Sequence, residues 1–203
     1  MFQFDRMSCF VLLAILTLTG CVTTKPDRDL GLYKTRAIHS TILLVPKGIW
    51  EKGAFAKSLE AEYTNNGVTF YKKVSPEENF QDWTQLFEVK GWQTDKRLGS
   101  LGDSEIQIAK GRCQEDQFMI QPVENIPGKS LLILACGELH SSELKLPRSE
   151  ISIILMYIHK GTFMRVMYRW RQRITNIKGG ETIPVDEEQV RLMVRRFQAI
   201  PTS

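Results

Sequence analysis

The chain has 203 residues, 42% of them hydrophobic and 25% charged, with a formal charge of +4. Those values are ordinary for a soluble globular protein and exclude a chain too short or too polar to bury a core of its own. A mildly basic balance at this size is ordinary solubility charge and does not by itself name an anionic partner.

The first element is an export-like leader. Arg6 and the free amine give a weakly positive start, partly offset by Asp5, and Met7 to Thr19 is then almost entirely apolar. That run is too short to cross a hydrocarbon core, which needs roughly 20 residues. The small pair Thr19-Gly20 sits just before Cys21, where a peptidase needs access. The run Leu18-Thr19-Gly20-Cys21 resembles the lipobox of bacterial lipoproteins. The resemblance implies that the Cys21 sulfur receives a diacylglycerol, that the leader is cut before it, and that the new amine is acylated. Several acyl chains give stable anchoring, so a membrane is the first expected partner. Val22, where an Asp would favour inner-membrane retention in enteric-type bacteria, points to the outer membrane. The expected organisation is a signal peptide over 1–20, a lipidated tether over 21–36 and a single domain over 37–203.

Cysteine arithmetic follows from that placement. Cys9 leaves with the leader and Cys21 carries lipid, which leaves Cys113 and Cys136. Two cysteines in an oxidising compartment read most simply as one disulfide, with a redox pair or two free thiols as the alternatives. His39, His140 and His159 have no metal-ligand spacing, so neither a metal nor a cofactor is expected.

Past the tether, Ile38 to Val45 reads as one strand stopped by Pro46 and Gly48. The stretch 54–64 fits either a helix face or an alternating strand, and Asn65-Asn66-Gly67 then turns the chain into Val68-Thr69-Phe70-Tyr71, which favours a hairpin. Residues 75–82 read as a loop and Trp83 to Trp92 as extended. Residues 97–113 are weakly helical with Asp103 as an N-cap, although Gly99, Gly102 and Gly111 count against a helix. Phe118–Val123 and Ser130–Cys136 read as strands. Glu150–His159 and Thr162–Arg173 form a long hairpin about Lys160-Gly161. The last element is a helix: Asp186 caps it, Gln189 completes a capping box, and Val190, Met193, Val194 and Phe197 make an apolar stripe. A stripe of that kind needs a sheet to cover. The fold class is therefore α+β, an antiparallel sheet covered by the C-terminal helix and one shorter helix.

Two stretches, Pro76-Glu77 with Asn79 and Trp83-Thr84-Gln85-Leu86, and Cys136-Gly137 with Tyr168-Arg169-Trp170-Arg171, resemble a loose group of secreted bacterial proteins that brings no activity with it. The order of elements is similar to that of the PsbP-like sandwiches. This implies an antiparallel sheet with helices packed on it, and fold alone.

No G-x-S-x-G, H-E-x-x-H or phosphate-cradling glycine loop occurs, and Glu138 with His140 reads as a solvated turn, so no catalytic residue is assigned and a non-enzymatic role is expected. A two-residue turn at Lys160-Gly161 sets the hairpin register. Ile151, Ile153, Leu155 and Tyr157 then share an apolar face with Met164, Val166, Tyr168 and Trp170. The opposite face carries Arg165, Arg169, Arg171 and Arg173. From 160 to 178 there are six bases and no acid, so the row repels itself unless something anionic lies near it. One reading is a solvated outer face, offset in part by Glu150, Glu187 and Glu188. The other is a docking face that meets carboxylates or phosphates bidentately. Its expected partner is another envelope protein, in a secretion or assembly complex. Inhibition of a hydrolase and direct lipid or peptidoglycan binding are the alternatives, and nucleic acid is not expected in that compartment. Trp50, Trp83, Trp92 and Trp170 are expected in the core.

Overall fold

A computed structural model describes residues 32–38, 41–46, 50, 57–126, 128–140, 148–173 and 187–200. The leader, Cys21, most of the tether and the helix cap at Asp186 lie outside the described residues.

The first two strands, β1 (Leu32–Ile38) and β2 (Thr41–Pro46), pair antiparallel as a separate small sheet. Two expectations change here. The stretch 38–45 is not one strand, and β1 already begins inside 21–36. Polar side chains at Lys34, Thr35 and Arg36 hid it, because they resemble a tether as readily as a sheet edge.

A seven-stranded antiparallel sheet follows. It consists of β3 (Leu59–Asn65), β4 (Val68–Val74), β5 (Gln85–Gln93), β6 (Phe118–Ile126), β7 (Lys129–Cys136), β8 (Arg148–His159) and β9 (Thr162–Arg173). The spatial order is β3-β4-β5-β9-β8-β7-β6. Two hairpins form at turns that need positive φ. Asn66 and Gly67 sit at φ 48° and 76°, Lys160 and Gly161 at 47° and 75°, the backbone of a two-residue turn whose twist suits the strands. The register across the second turn pairs Ile151 with Trp170, Ile153 with Tyr168, Leu155 with Val166 and Tyr157 with Met164.

The order dictates where the helices go. A chain leaving β5 must pass β9, β8 and β7 to reach β6 at the far edge, and it does so through α1 (Leu98–Lys110) lying across one face. The opposite face is covered by α2 (Glu187–Gln198) together with the β1–β2 hairpin. Ile38 and Val45 share a buried cluster with Phe87, Ile153, Tyr168, Val190, Met193 and Phe197. The other face packs Leu101 of α1 on Leu132, Leu134, Ile154, Met156, Phe163 and Met167. The fold is α+β in kind but mostly sheet, and at 13 residues α1 is no shorter than the 12-residue α2. Burial on both faces explains why β8 is apolar almost throughout, with every residue from Glu150 to Tyr157 buried.

Gly91 marks the closest approach of the small sheet to the large one. A Cβ there would stand 2.7 Å from Ile38 Cγ2 and 3.0 Å from Met164 Sδ, so only glycine lets β1 settle on β5. In α1 the residue before the helix is Arg97 and no side chain caps it. Asp103, expected as the cap, lies within the helix on an exposed position. The helix starts a turn earlier because Leu98, Leu101, Ile106 and Ala109 face the sheet, and packing outweighs the missing cap.

Candidate functional site

The arginine row lies on the face that α1 covers. Strand alternation carries Arg165, Arg169 and Arg171 of β9 to this side, together with Glu88 and Lys90 of β5 and Glu150 and Ser152 of β8. Glu88 stands opposite Met167, so its diagonal neighbours are Arg165 and Arg169. Glu150 stands opposite Arg171, with Arg169 on its diagonal. From above, Glu105 of α1 reaches down to the same group.

The contacts make one ionised layer. Arg165 is held between Glu88 and Glu105. Lys90 bonds to Glu105 at 2.9 Å and Lys72 pairs with Glu88 at 3.3 Å. Arg171 donates to Glu150 through Nε at 3.3 Å and Nη2 at 3.0 Å, and its guanidinium lies 3.9 Å from the centre of the Trp83 ring. At the end of the row, Arg148 of β8 donates to Asp82 at 2.6 Å. Arg169 is held least: Nη2 reaches Glu88 only at 3.5 Å, Nη1 lies 3.7 Å from Glu150, and Nε has no hydrogen-bond partner among the described residues.

Burial decides the charge states. Burial alone would raise the carboxyl of Glu88, yet Arg169, Arg165 and Lys72 outweigh it and lower the group from 4.5 to about 2. Glu105 and Glu150 show the same contest, burial against Arg165 and Lys90 in one and against Arg169, Arg112 and Arg171 in the other, and both end below the ordinary carboxylate value. Arg171 is pulled down by burial and held up by Glu150, with a net lowering. A buried carboxylate surrounded by guanidinium groups stays ionised.

The arginine face is therefore neither a solvated outer surface nor an open docking row. Arg169 and Arg171 are each 8% exposed, and their counter-charges are internal carboxylates beneath a helix. The side chain of Arg173 lies outside the described residues, although its backbone pairs with Arg148. Glu150 does offset the row, but Glu187 does not: it pairs with Arg191 one turn along α2, on the other side of the sheet. The acids that complete the layer, Glu88 and Glu105, were not singled out in the sequence. A glutamate inside the otherwise apolar run Leu86-Phe87-Glu88-Val89 was the available signal.

Beside the layer lies a cleft of about 180 Å³ between α1, the ends of β6 and β7, and the sheet. Its rim is stapled. Cys113 and Cys136 form a disulfide across 23 residues. Cys113 bridges Leu139, and the His140 amide donates to the Arg112 carbonyl at 2.9 Å. Arg112 is thereby fixed at the mouth of the cleft, 44% exposed at its side chain and 3.7 Å from Glu150. Among the described residues no group of three or more His, Cys, Asp or Glu side chains could hold a metal ion. Trp83 and Trp170 are buried, and Trp50 and Trp92 are half-buried against the two apolar clusters.

Fold and site together define an α+β sheet protein with an ion-paired layer beneath a crossing helix. No protein-family model matches the chain, and neither does any curated protein sequence.

Proposed function

We propose that this chain is a lipid-anchored protein of a bacterial envelope, tethered through Cys21 at the periplasmic face of the outer membrane, whose domain works by binding rather than catalysis. The observation that carries the reading is the apolar leader ending in Leu18-Thr19-Gly20-Cys21. The Cys113–Cys136 disulfide supports it, because such bonds persist in oxidising compartments. The state of Glu88, Glu105 and Glu150 supports the binding role. A general acid or base needs an affinity for protons near the working pH, whereas these carboxylates are lowered and locked in ion pairs. Its partner is another envelope component.

Metabolic labelling with palmitate tests the anchor. The full chain incorporates label and fractionates with the outer membrane, and Cys21→Ala does neither. An unlabelled chain, or a Cys21→Ala form that fractionates unchanged, refutes the placement. Photo-crosslinking in cells from Ile108, 54% exposed beside the cleft, is expected to capture an envelope protein. Capture of lipid or peptidoglycan alone replaces the protein partner with the membrane or wall itself.

A further inference from the structure

The cleft combines loosely held guanidinium donors with an apolar wall. Of the five N–H donors a guanidinium carries, Arg169 commits one to a hydrogen bond, at 3.5 Å, although the side chain is nine-tenths buried. Arg112, at the mouth, makes one long ionic contact. Arg165 and Arg171, by contrast, are tied to their glutamates by close contacts. Both loosely held arginines line the cleft, with Ser152 of β8 beside Arg169 and with Ile108, Ala109, Phe118, Leu134, Ile154 and Met167 as its apolar wall. The ionisable groups lining the space are Arg112, Arg165 and Arg169 with Glu105 and Glu150, and Glu88 stands behind them as a partner of Arg165 and Arg169. Its volume of about 180 Å³ exceeds the roughly 150 Å³ of a cavity that accepts benzene.

We infer that this cleft is a binding site for a small monoanionic carboxylate with an apolar body about the size of a benzene ring, the carboxylate held by Arg169 and Arg112 and the body by the α1–β7 wall. A carboxylate meets the planar fork of a guanidinium side-on. The disulfide and the His140–Arg112 backbone hydrogen bond fix where the Arg112 side chain leaves the backbone, at the mouth of the cleft. The inference goes beyond the partner proposed above and fails separately from it, because its test reads ligand binding at the cleft and does not depend on Cys21.

The test is calorimetric titration of the full chain in non-ionic detergent with benzoate, hexanoate, acetate and benzyl alcohol. Benzoate or hexanoate is expected to bind saturably at one site. Acetate, lacking the body, and benzyl alcohol, lacking the charge, bind at least about tenfold more weakly, the scale of one charge-assisted bond or a few buried methylenes. Arg112→Gln, at a half-exposed position, weakens binding about tenfold as well, while Glu150 keeps Arg169 and Arg171 as partners. Ala109→Trp fills the cleft and abolishes binding, while circular dichroism verifies that it folds. No saturable binding of either bulky carboxylate overturns the inference, as does equal binding of acetate or an unchanged affinity in both variants.

Discussion

Replacing Glu88 by Gln removes one negative charge from the buried layer while keeping the side chain's shape. In the native protein that carboxylate faces Lys72, Arg165 and Arg169. Lowering it from 4.5 to about 2 corresponds to roughly 3 kcal/mol of stability at neutral pH. Removing one partner of a buried ion pair typically costs about 3–5 kcal/mol, which agrees in scale. The pH dependence follows from the direction of the shift. Above 4.5 the carboxylate is ionised in both folded and unfolded chains, and the contribution is fully present. As the pH falls below 4.5 the unfolded chain takes up a proton that the folded one resists, and the contribution drains away until about pH 2. Denaturant unfolding of the full chain in detergent, followed by tryptophan fluorescence at pH 7 and pH 3, measures both effects. Glu88→Gln is expected to lose roughly 3 kcal/mol against the wild type at pH 7, and clearly less at pH 3. Replacing Arg169 by Met in the same chain is expected to restore part of the loss, since a matched apolar substitution strands fewer charges. A loss below about 1 kcal/mol at pH 7, the worth of an exposed pair, refutes the buried layer. So does an equal loss at both pH values.

Cys113→Ser with Cys136→Ser opens a loop spanning 23 residues, and in the chain-entropy picture this costs roughly 3 kcal/mol. The unfolding midpoint of the double variant should fall accordingly and lose its sensitivity to reductant, whereas a wild-type response to reductant speaks against the bond. Gly91→Ala places a methyl group 2.7 Å from Ile38. It should cost about 1–3 kcal/mol through overpacking and speed proteolysis within residues 32–46 before the main sheet is cut. Unchanged cleavage there means that β1 does not rest on β5.

The parts legible in the sequence are those set by neighbours along the chain. The β8–β9 register follows from Lys160-Gly161 and strict alternation on both sides of it, since a slip of one residue would turn Ile153 and Tyr168 to the other face. The α2 stripe is readable for a similar reason: Val190, Met193 and Phe197 repeat at helical spacing, and all three are buried. What covers the second face of the sheet is a different kind of fact. Alternation places Arg165, Arg169 and Arg171 together on one side but is silent about whether water or a helix lies over them. The answer depends on β5 pairing with β9, a contact between residues some eighty positions apart, which sends the connecting helix across that face. Local signals in α1 are mixed: Gly99, Gly102 and Gly111 count against a helix, and Asp103 suggests a start one turn too late. A Cβ at Gly102 would meet Met156 Cε at 3.6 Å, an ordinary contact, so it is the apolar stripe and not the glycine that seats the helix.

The strand order has a consequence for how the chain acquires its shape. Strands β3 to β5 can form a meander among themselves, but the free side of β5 is closed only by pairing with β9, 69 to 85 positions further along the chain. Until then the row from Leu86 to Trp92 is a bare edge, with Phe87 and Val89 exposed to any passing strand. Non-local closures of this kind are slow, and an edge left open invites pairing with another chain until it closes.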